Sequence, residues 1–222
     1  MFKKIFQYFR KQKVLHTTNP NQAIREFGHR DYVGGKWDEI GRLQLDFLKA
    51  QGLLPSHVFL DIACGALRGG VHFIHYLERT HYLGIEKEKS LVDAGIEKEL
   101  GLAIYKQKKP EIIISDSFEF QKLTKAPDYA LAHALFTHLV PDTIHLCMKN
   151  LRNFVRPGCR FYSTFLETST GAQNPEASQD HTLFYYTRLE MSAFGEKNGW
   201  QPHYIGDWKH PRKQVMIEYR AV

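Results

Sequence analysis

Val58-Phe-Leu-Asp-Ile-Ala-Cys-Gly-Ala-Leu-Arg-Gly-Gly-Val71 is an apolar run that ends in an acid and then turns on glycine. Residues 58–62 read as a short strand buried on both faces, because all but Asp61 are apolar and Val58 and Ile62 are β-branched. A carboxylate near the end of such a strand is costly unless it accepts hydrogen bonds, so Asp61 is expected to orient the turn or a ligand's cationic group. Gly65 lets the backbone approach a ligand with no Cβ in the way. Residues 67–77 follow with helix-compatible spacing, which makes the unit strand, glycine turn, helix. In an open α/β sheet ligands bind at the carboxyl ends of the strands, and this turn is such a place.

The rest of the chain repeats the unit. A helix is expected from about Lys36, with Asp38 and Glu39 in its first turn and Ile40, Leu43, Phe47 and Leu48 on one face. Tyr82-Leu-Gly-Ile-Glu86 reads as the second strand, ending in a carboxylate about twenty residues after the glycine turn, where it can take the hydroxyls of a ribose. Glu111-Ile-Ile-Ile-Ser-Asp116 reads as the third strand, again ending in an acid, and residues 128–136 as the fourth. Pro141 and Asp142 open a helix closed by Arg156-Pro157-Gly158, and residues 160–167 form the fifth strand, which ends at Glu167. A polar insert covers residues 168–180 and His181 ends it; loops on the ligand edge of a rigid sheet tend to choose substrates. Thr187-Arg-Leu-Glu190 is a capping box for a last helix ending at Gly199. Two β-rich runs over residues 201–219 flank Asp207-Trp-Lys-His-Pro-Arg212, whose Asp207, Trp208, His210 and Arg212 could bind or deprotonate an acceptor, or simply cap a salt-bridged hairpin.

Composition bounds the function. The 222 residues suit one α/β domain with a sizeable core, and 43% apolar with 24% charged residues is the balance of a soluble globular protein. No apolar run approaches the roughly 20 residues of a membrane span. Cys64, Cys147 and Cys159 show no paired spacing, so a reducing, cytoplasmic setting is expected. The net charge of +6 owes +5 to Lys3, Lys4, Arg10, Lys11 and Lys13, which leaves the body nearly neutral and argues against a nucleic-acid partner. Phe2, Ile5, Phe6 and Phe9 share that segment at helical spacing, so residues 1–13 read as a basic amphipathic helix suited to peripheral membrane contact or as a docked terminus. Residues 14–31 read as a polar linker, giving an N-terminal segment over 1–31 and a domain over 32–222. His72 and His75 lie three apart, but no carboxylate-completed metal set appears, and no metal is expected.

Leu60-Asp-Ile-Ala-Cys-Gly-Ala-Leu-Arg68 resembles the first motif of the class I S-adenosylmethionine-dependent methyltransferases, with Ala63 and Ala66 where glycine is common. Gly65, Gly69 and Gly70 do not fit the G-x-G-x-x-G spacing of a dinucleotide site, and one glycine with flanking acids suits a zwitterionic sulfonium ligand that has no phosphate. The resemblance implies a Rossmann-like, doubly wound α/β fold with a mixed seven-stranded sheet, helices on both faces, and the last strand antiparallel between the fifth and sixth. It implies S-adenosyl-L-methionine as cofactor, held by Asp61, Ala63, Cys64, Gly65, Arg68, Glu86, Asp116, Ser117 and His133, with Asp116-Ser117 meeting the adenine amine. The segment before the first strand closes over the cofactor in that family, which makes Trp37 and Arg42 ligand candidates; the alternatives are a packing anchor and a solvated face. The fourth strand end faces the transferred methyl. It carries His133-Ala-Leu-Phe136 in place of the Asn/Asp-Pro-Pro-aromatic run of base-methylating enzymes. His133, His181 and His210 are then candidate bases for a hydroxyl acceptor. Trp37, Arg42, Glu167, Asp207, Trp208 and Arg212 are candidates for holding that acceptor, a small molecule or glycan. Other readings are a non-catalytic cofactor- or partner-binding domain and a dinucleotide-dependent oxidoreductase.

Overall fold

A computed structural model describes residues 20–222 of the chain, so the basic segment 1–13 and its membrane reading lie outside the described residues. In chain order the elements are α1 (Pro20–Phe27), α2 (His29–Tyr32), α3 (Trp37–Ala50), β1 (Phe59–Ile62), α4 (Gly70–Tyr76), β2 (Tyr82–Glu86), α5 (Lys89–Ala94, running on as a π-helical stretch Gly95–Leu100), α6 (Leu102–Lys108), β3 (Glu111–Ile114), β4 (Tyr129–Ala132), α7 (Pro141–Phe154), β5 (Arg160–Glu167), β6 (Tyr185–Tyr186), α8 (Arg188–Lys197), β7 (Trp200–Asp207) and β8 (Val215–Ala221). The sheet runs β3-β2-β1-β4-β5-β8-β7. β8 is antiparallel to both of its neighbours, while the first five strands pair in parallel. The expected doubly wound α/β sheet with its antiparallel last strand is therefore present, with one addition. β6, two residues long, pairs with the end of β5 through Leu166↔Tyr185 and Glu167↔Tyr186, making eight strands where the sequence suggested seven.

Alternation along each strand sends side chains to two separate cores. Leu60 and Ile62 of β1, Ala130 and Ala132 of β4, and Phe161 and Phe165 of β5 meet α7 and α8 residues such as Met148, Leu151 and Met191. Phe59, Leu131 and Tyr162, one position out of phase, face Leu48 of α3 and Phe73 and Ile74 of α4. Every residue of β1, β2 and β4 is buried, which is why those strands read as continuous apolar runs.

Three local features differ from the sequence expectation. The helix expected from residue 67 begins at Gly70, because Leu67 takes φ 65 and is spent on the turn. The third strand stops at Ile114, two residues short of Asp116, where Ser115 accepts backbone hydrogen bonds from Ser117 and Glu119 and bends the chain. The part of the expected linker from Pro20 onward is helical and docked: Ala23 is fully buried, Arg30 makes a two-pronged ion pair with Glu99 at 2.7 and 2.6 Å, and its guanidinium lies 5.0 Å over the Trp37 ring. The capping box at Thr187 and Glu190 forms as expected. Among the described residues no helix is long and apolar enough to cross a membrane.

Candidate functional site

A cleft of about 1090 Å³ opens over the carboxyl ends of β1, β2 and β4. Its floor is the turn after β1. Ala63 and Gly65 both have positive φ there, 60 and 55, so the chain curls tightly and the Gly65 N–H turns toward β2. That N–H donates to Glu86 Oε2 at 2.8 Å, while Glu86 Oε1 accepts from the N–H groups of Lys87 and Glu88 at 2.9 and 3.0 Å. Of the roughly four acceptor positions of a carboxylate, three are filled, which leaves one on Oε2 for a ligand hydroxyl. Burial raises the Glu86 pKa against the pull of these bonds.

The turn itself is wedged between two helices that carry glycine where they touch it. A Cβ on Gly41 of α3 would lie 2.4 Å from the Arg68 carbonyl, and one on Gly95 would lie 2.6 Å from the Ala66 carbonyl. Asp61, below the turn, accepts the Tyr82 hydroxyl at 2.9 Å. Burial pushes its carboxyl up to about 7, with the neighbouring Glu86 charge adding to the shift and the Tyr82 bond and Arg68 opposing it.

The other end of the cleft is cationic. Arg68 donates through Nη1 to the carbonyls of Val33 and Gly35, both at 3.0 Å, and its Nη2 lies 3.3 Å from His133 Nδ1. His133 sits just past β4, and its Nε2 lies 3.2 Å from His210 Nε2. His210 stacks on Trp208 with ring centroids 5.2 Å apart, and its Nδ1 accepts the Arg212 N–H at 3.3 Å. The Arg212 guanidinium donates to the Gly34 carbonyl, 178 residues away in the chain. Burial, then the charges of Arg68 and Arg212, hold His210 down at about 4; burial, Arg68, His210 and Arg212 hold His133 well below its usual range.

The insert after β5 forms the remaining wall. Gln179 N–H donates to the His138 carbonyl, Ser178 Oγ accepts from Val140 N–H, and Lys87 pairs with Asp180 at 2.5 Å. His181 on this wall packs edge-on to Tyr32, with centroids 5.0 Å apart.

The structure thus brings Asp61, Ala63, Cys64, Gly65, Arg68, Glu86, Asp116, His133, His181, His210 and Arg212 to one cleft. It does not bring six other sequence candidates there. Trp37 is buried against Ala66 and Leu91, and Trp208 is buried with its Nε1 donating to the Gln214 carbonyl. Arg42 is exposed on α3, and Ser117 is exposed in the turn after β3. Glu167 accepts the Tyr204 hydroxyl at 2.6 Å, and Asp207 accepts the Lys209 N–H within the hairpin. Sequence reasoning passed over Gln214, which lines the cleft and accepts the Thr164 hydroxyl at 2.7 Å, and the Val33, Gly34 and Gly35 carbonyls; only the adjacent glycines were a signal. Among the described residues no group of three His, Cys, Asp or Glu is placed to hold a metal ion.

No family model matches the chain, and no curated protein matches its sequence. Solved structures do match. The magnesium protoporphyrin IX methyltransferase of Synechocystis PCC 6803 with bound SAM superposes with a TM-score of 0.63 at 14% identity, over 93% of this chain and 99% of that one. The CcbJ methyltransferase of Streptomyces caelestis gives 0.64 at 16% identity, over 86% and 92%. The glycopeptide N-methyltransferase MtfA complexed with SAM gives 0.62 at 13% identity, over 82% and 94%. With the strand order, the antiparallel β8 and the glycine turn after β1, these likenesses establish that the chain has the fold of the class I S-adenosylmethionine-dependent methyltransferases.

Proposed function

We propose that the protein transfers a methyl group from S-adenosylmethionine to an oxygen, the hydroxyl of a small molecule or glycan. The observation that carries this reading is the pair of buried carboxylates, Asp61 and Glu86, on either side of the Gly65 turn at the head of one cleft. They are the right groups in the right order for a ligand with an ammonium at one end and a ribose further along. Asp61 would hold the ammonium. The free position on Glu86 Oε2 would take one ribose hydroxyl, and Asp116, at the cleft edge beyond β3, would accept from the adenine amine. S-adenosylmethionine, when bound, supplies a methyl group already activated by its sulfonium.

The protein's own work is to align the acceptor with that methyl and to exclude water. A hydroxyl acceptor must also lose its proton. His133 and His210 are poorly placed to gain one, since burial and the Arg68 and Arg212 guanidiniums oppose a further positive charge on either ring. His181 on the facing wall is therefore the base in this reading.

Isothermal titration with S-adenosylmethionine and S-adenosylhomocysteine tests the proposal. Micromolar binding that is lost in Asp61→Asn and Glu86→Ala supports it, and no binding of either ligand to the natural chain overturns it. With an acceptor in hand, His181→Ala should abolish turnover while leaving S-adenosylhomocysteine binding unchanged.

A further inference from the structure

The cationic end of the cleft has two properties that point to an anionic ligand. Among the described residues neither guanidinium makes an ion pair: the hydrogen-bond partners of Arg68 and Arg212 are the carbonyls of Val33, Gly34 and Gly35 and the His133 ring, and the Asp61 carboxylate acts on Arg68 only at longer range. Carbonyl dipoles solvate a guanidinium without neutralising it, so these two charges, Arg68 half-buried and Arg212 exposed at the rim, favour an anion.

The second property is a proton count. Arg68 is a permanent donor to His133 Nδ1, and the Arg212 N–H is a permanent donor to His210 Nδ1. Each neutral ring must then carry its one proton on Nε2. Those two nitrogens face each other at 3.2 Å, donor against donor. The opposite tautomer of either ring mends this contact only by turning an N–H against Arg68 or against the Arg212 backbone. No neutral pair satisfies all three contacts. A single anionic oxygen set to one side of the line between the two Nε2 atoms does, because there it accepts from both Nε2–H groups while both Nδ1 atoms keep their donors. Such an oxygen would be flanked by Arg68 toward the floor and by Arg212 at the exposed rim.

We infer that Arg68, His133, His210 and Arg212 form the seat of a carboxylate carried by the methyl acceptor, such as that of an acidic sugar. The inference rests on the methyltransferase reading and narrows its substrate class to hydroxylated carboxylic acids. The cofactor brings a carboxylate of its own, so the test must separate the two sources.

The probes are two matched pairs, D-glucuronate with D-glucose and benzoate with benzyl alcohol, titrated into the protein saturated with S-adenosylhomocysteine. Both carboxylates should bind, and their neutral partners should not. Arg212→Gln should weaken carboxylate binding by roughly tenfold or more, as expected for loss of one charge-assisted contact. Arg212→Lys should retain most of it, and S-adenosylhomocysteine affinity should be the same in all three proteins, which also shows that the variants are folded. Equal binding of acids and neutral partners, or no binding of either acid, overturns the inference. So does an Arg212→Gln variant that loses affinity for S-adenosylhomocysteine but not for its decarboxylated analogue, since the cofactor would then occupy the seat. Failure of S-adenosylhomocysteine itself to bind sinks the methyltransferase reading and the acceptor assignment with it.

Discussion

The two ends of the cleft are built in opposite ways. The end over β1 and β2 is made of strand termini and backbone: Asp61 and Glu86 are held by a buried hydroxyl and three N–H groups, and their neighbours in the chain place them. The end over β4 and the β7–β8 hairpin is made of long side chains from remote segments, with Arg68, His133, His210 and Arg212 meeting around the Val33–Gly35 carbonyls. The first end is rigid by construction and carries negative charge. The second is assembled from remote segments and carries positive charge. A site divided in this way can keep one ligand constant at its backbone-built end while side chains at the other end vary with little disturbance to the strands.

The largest effect should come from the rigid end. Glu86→Ala removes the acceptor for three backbone N–H groups as well as the ribose contact, and titration should show S-adenosylhomocysteine binding weakened about a hundredfold or more. A milder loss would mean that backbone alone holds this end.

The next is a pH dependence. The Asp61 carboxyl, raised to about 7, is largely protonated below that pH in the free protein, and the ligand's ammonium requires it ionised. Affinity for S-adenosylhomocysteine should therefore fall by about tenfold per pH unit below 7 and level off above it, as calorimetry across pH 5.5–8.5 would show for a single linked proton. Folding carries the opposite sign. A carboxyl raised on folding binds its proton more tightly in the native chain, so the free protein should lose stability as pH climbs from about 4 to 7. Asp61→Asn should flatten the stability curve.

Gly41→Ala probes the junction between the two ends. Its Cβ would meet the Arg68 carbonyl at 2.4 Å, so α3 must move off the turn, at a cost of about 1–3 kcal/mol in thermal unfolding. Smallest of all, Leu189→Ser on the exposed start of α8, where the side chain is 80% accessible, should change stability by less than about 0.5 kcal/mol and ligand binding not at all.

The same division explains what could be read from the sequence. Strand ends marked by an acid after an apolar run are local signals, so Asp61 and Glu86 were legible and β2 was bounded to the residue. The capping box at Thr187 and Glu190 is equally local. Arg68, His133, His210 and Arg212 were each candidates from the sequence, but the contacts that gather them, between residues 33 and 68, 34 and 212, and 133 and 210, leave no periodicity behind. Trp208 and Asp207 illustrate the failure: in a chemistry-rich hairpin both looked like ligand groups, yet Trp208 turns inward to the Gln214 carbonyl and Asp207 caps its own turn. Leu67 shows it at the level of backbone, since nothing in its identity announces the positive φ that delays α4. The docking of α1 and α2 through Arg30 and Glu99 joins residues 69 apart, a contact that the short apolar face of Ala23, Ile24 and Phe27 does not announce.

The pairing of β6 with β5 has a bearing on how this protein can vary. The polar insert leaves the sheet at Glu167 and returns at Tyr185, where the two strands share hydrogen bonds, and Asn174 in mid-insert ties back to both backbone groups of Tyr185. Its two feet stand on adjacent rungs of one ladder, so residues can be added between them without shifting either strand. Doubling the length of such a closed loop costs only about 0.6 kcal/mol of chain entropy. One wall of the cleft can thus be lengthened, trimmed or exchanged between relatives while the rest of the sheet stays in register.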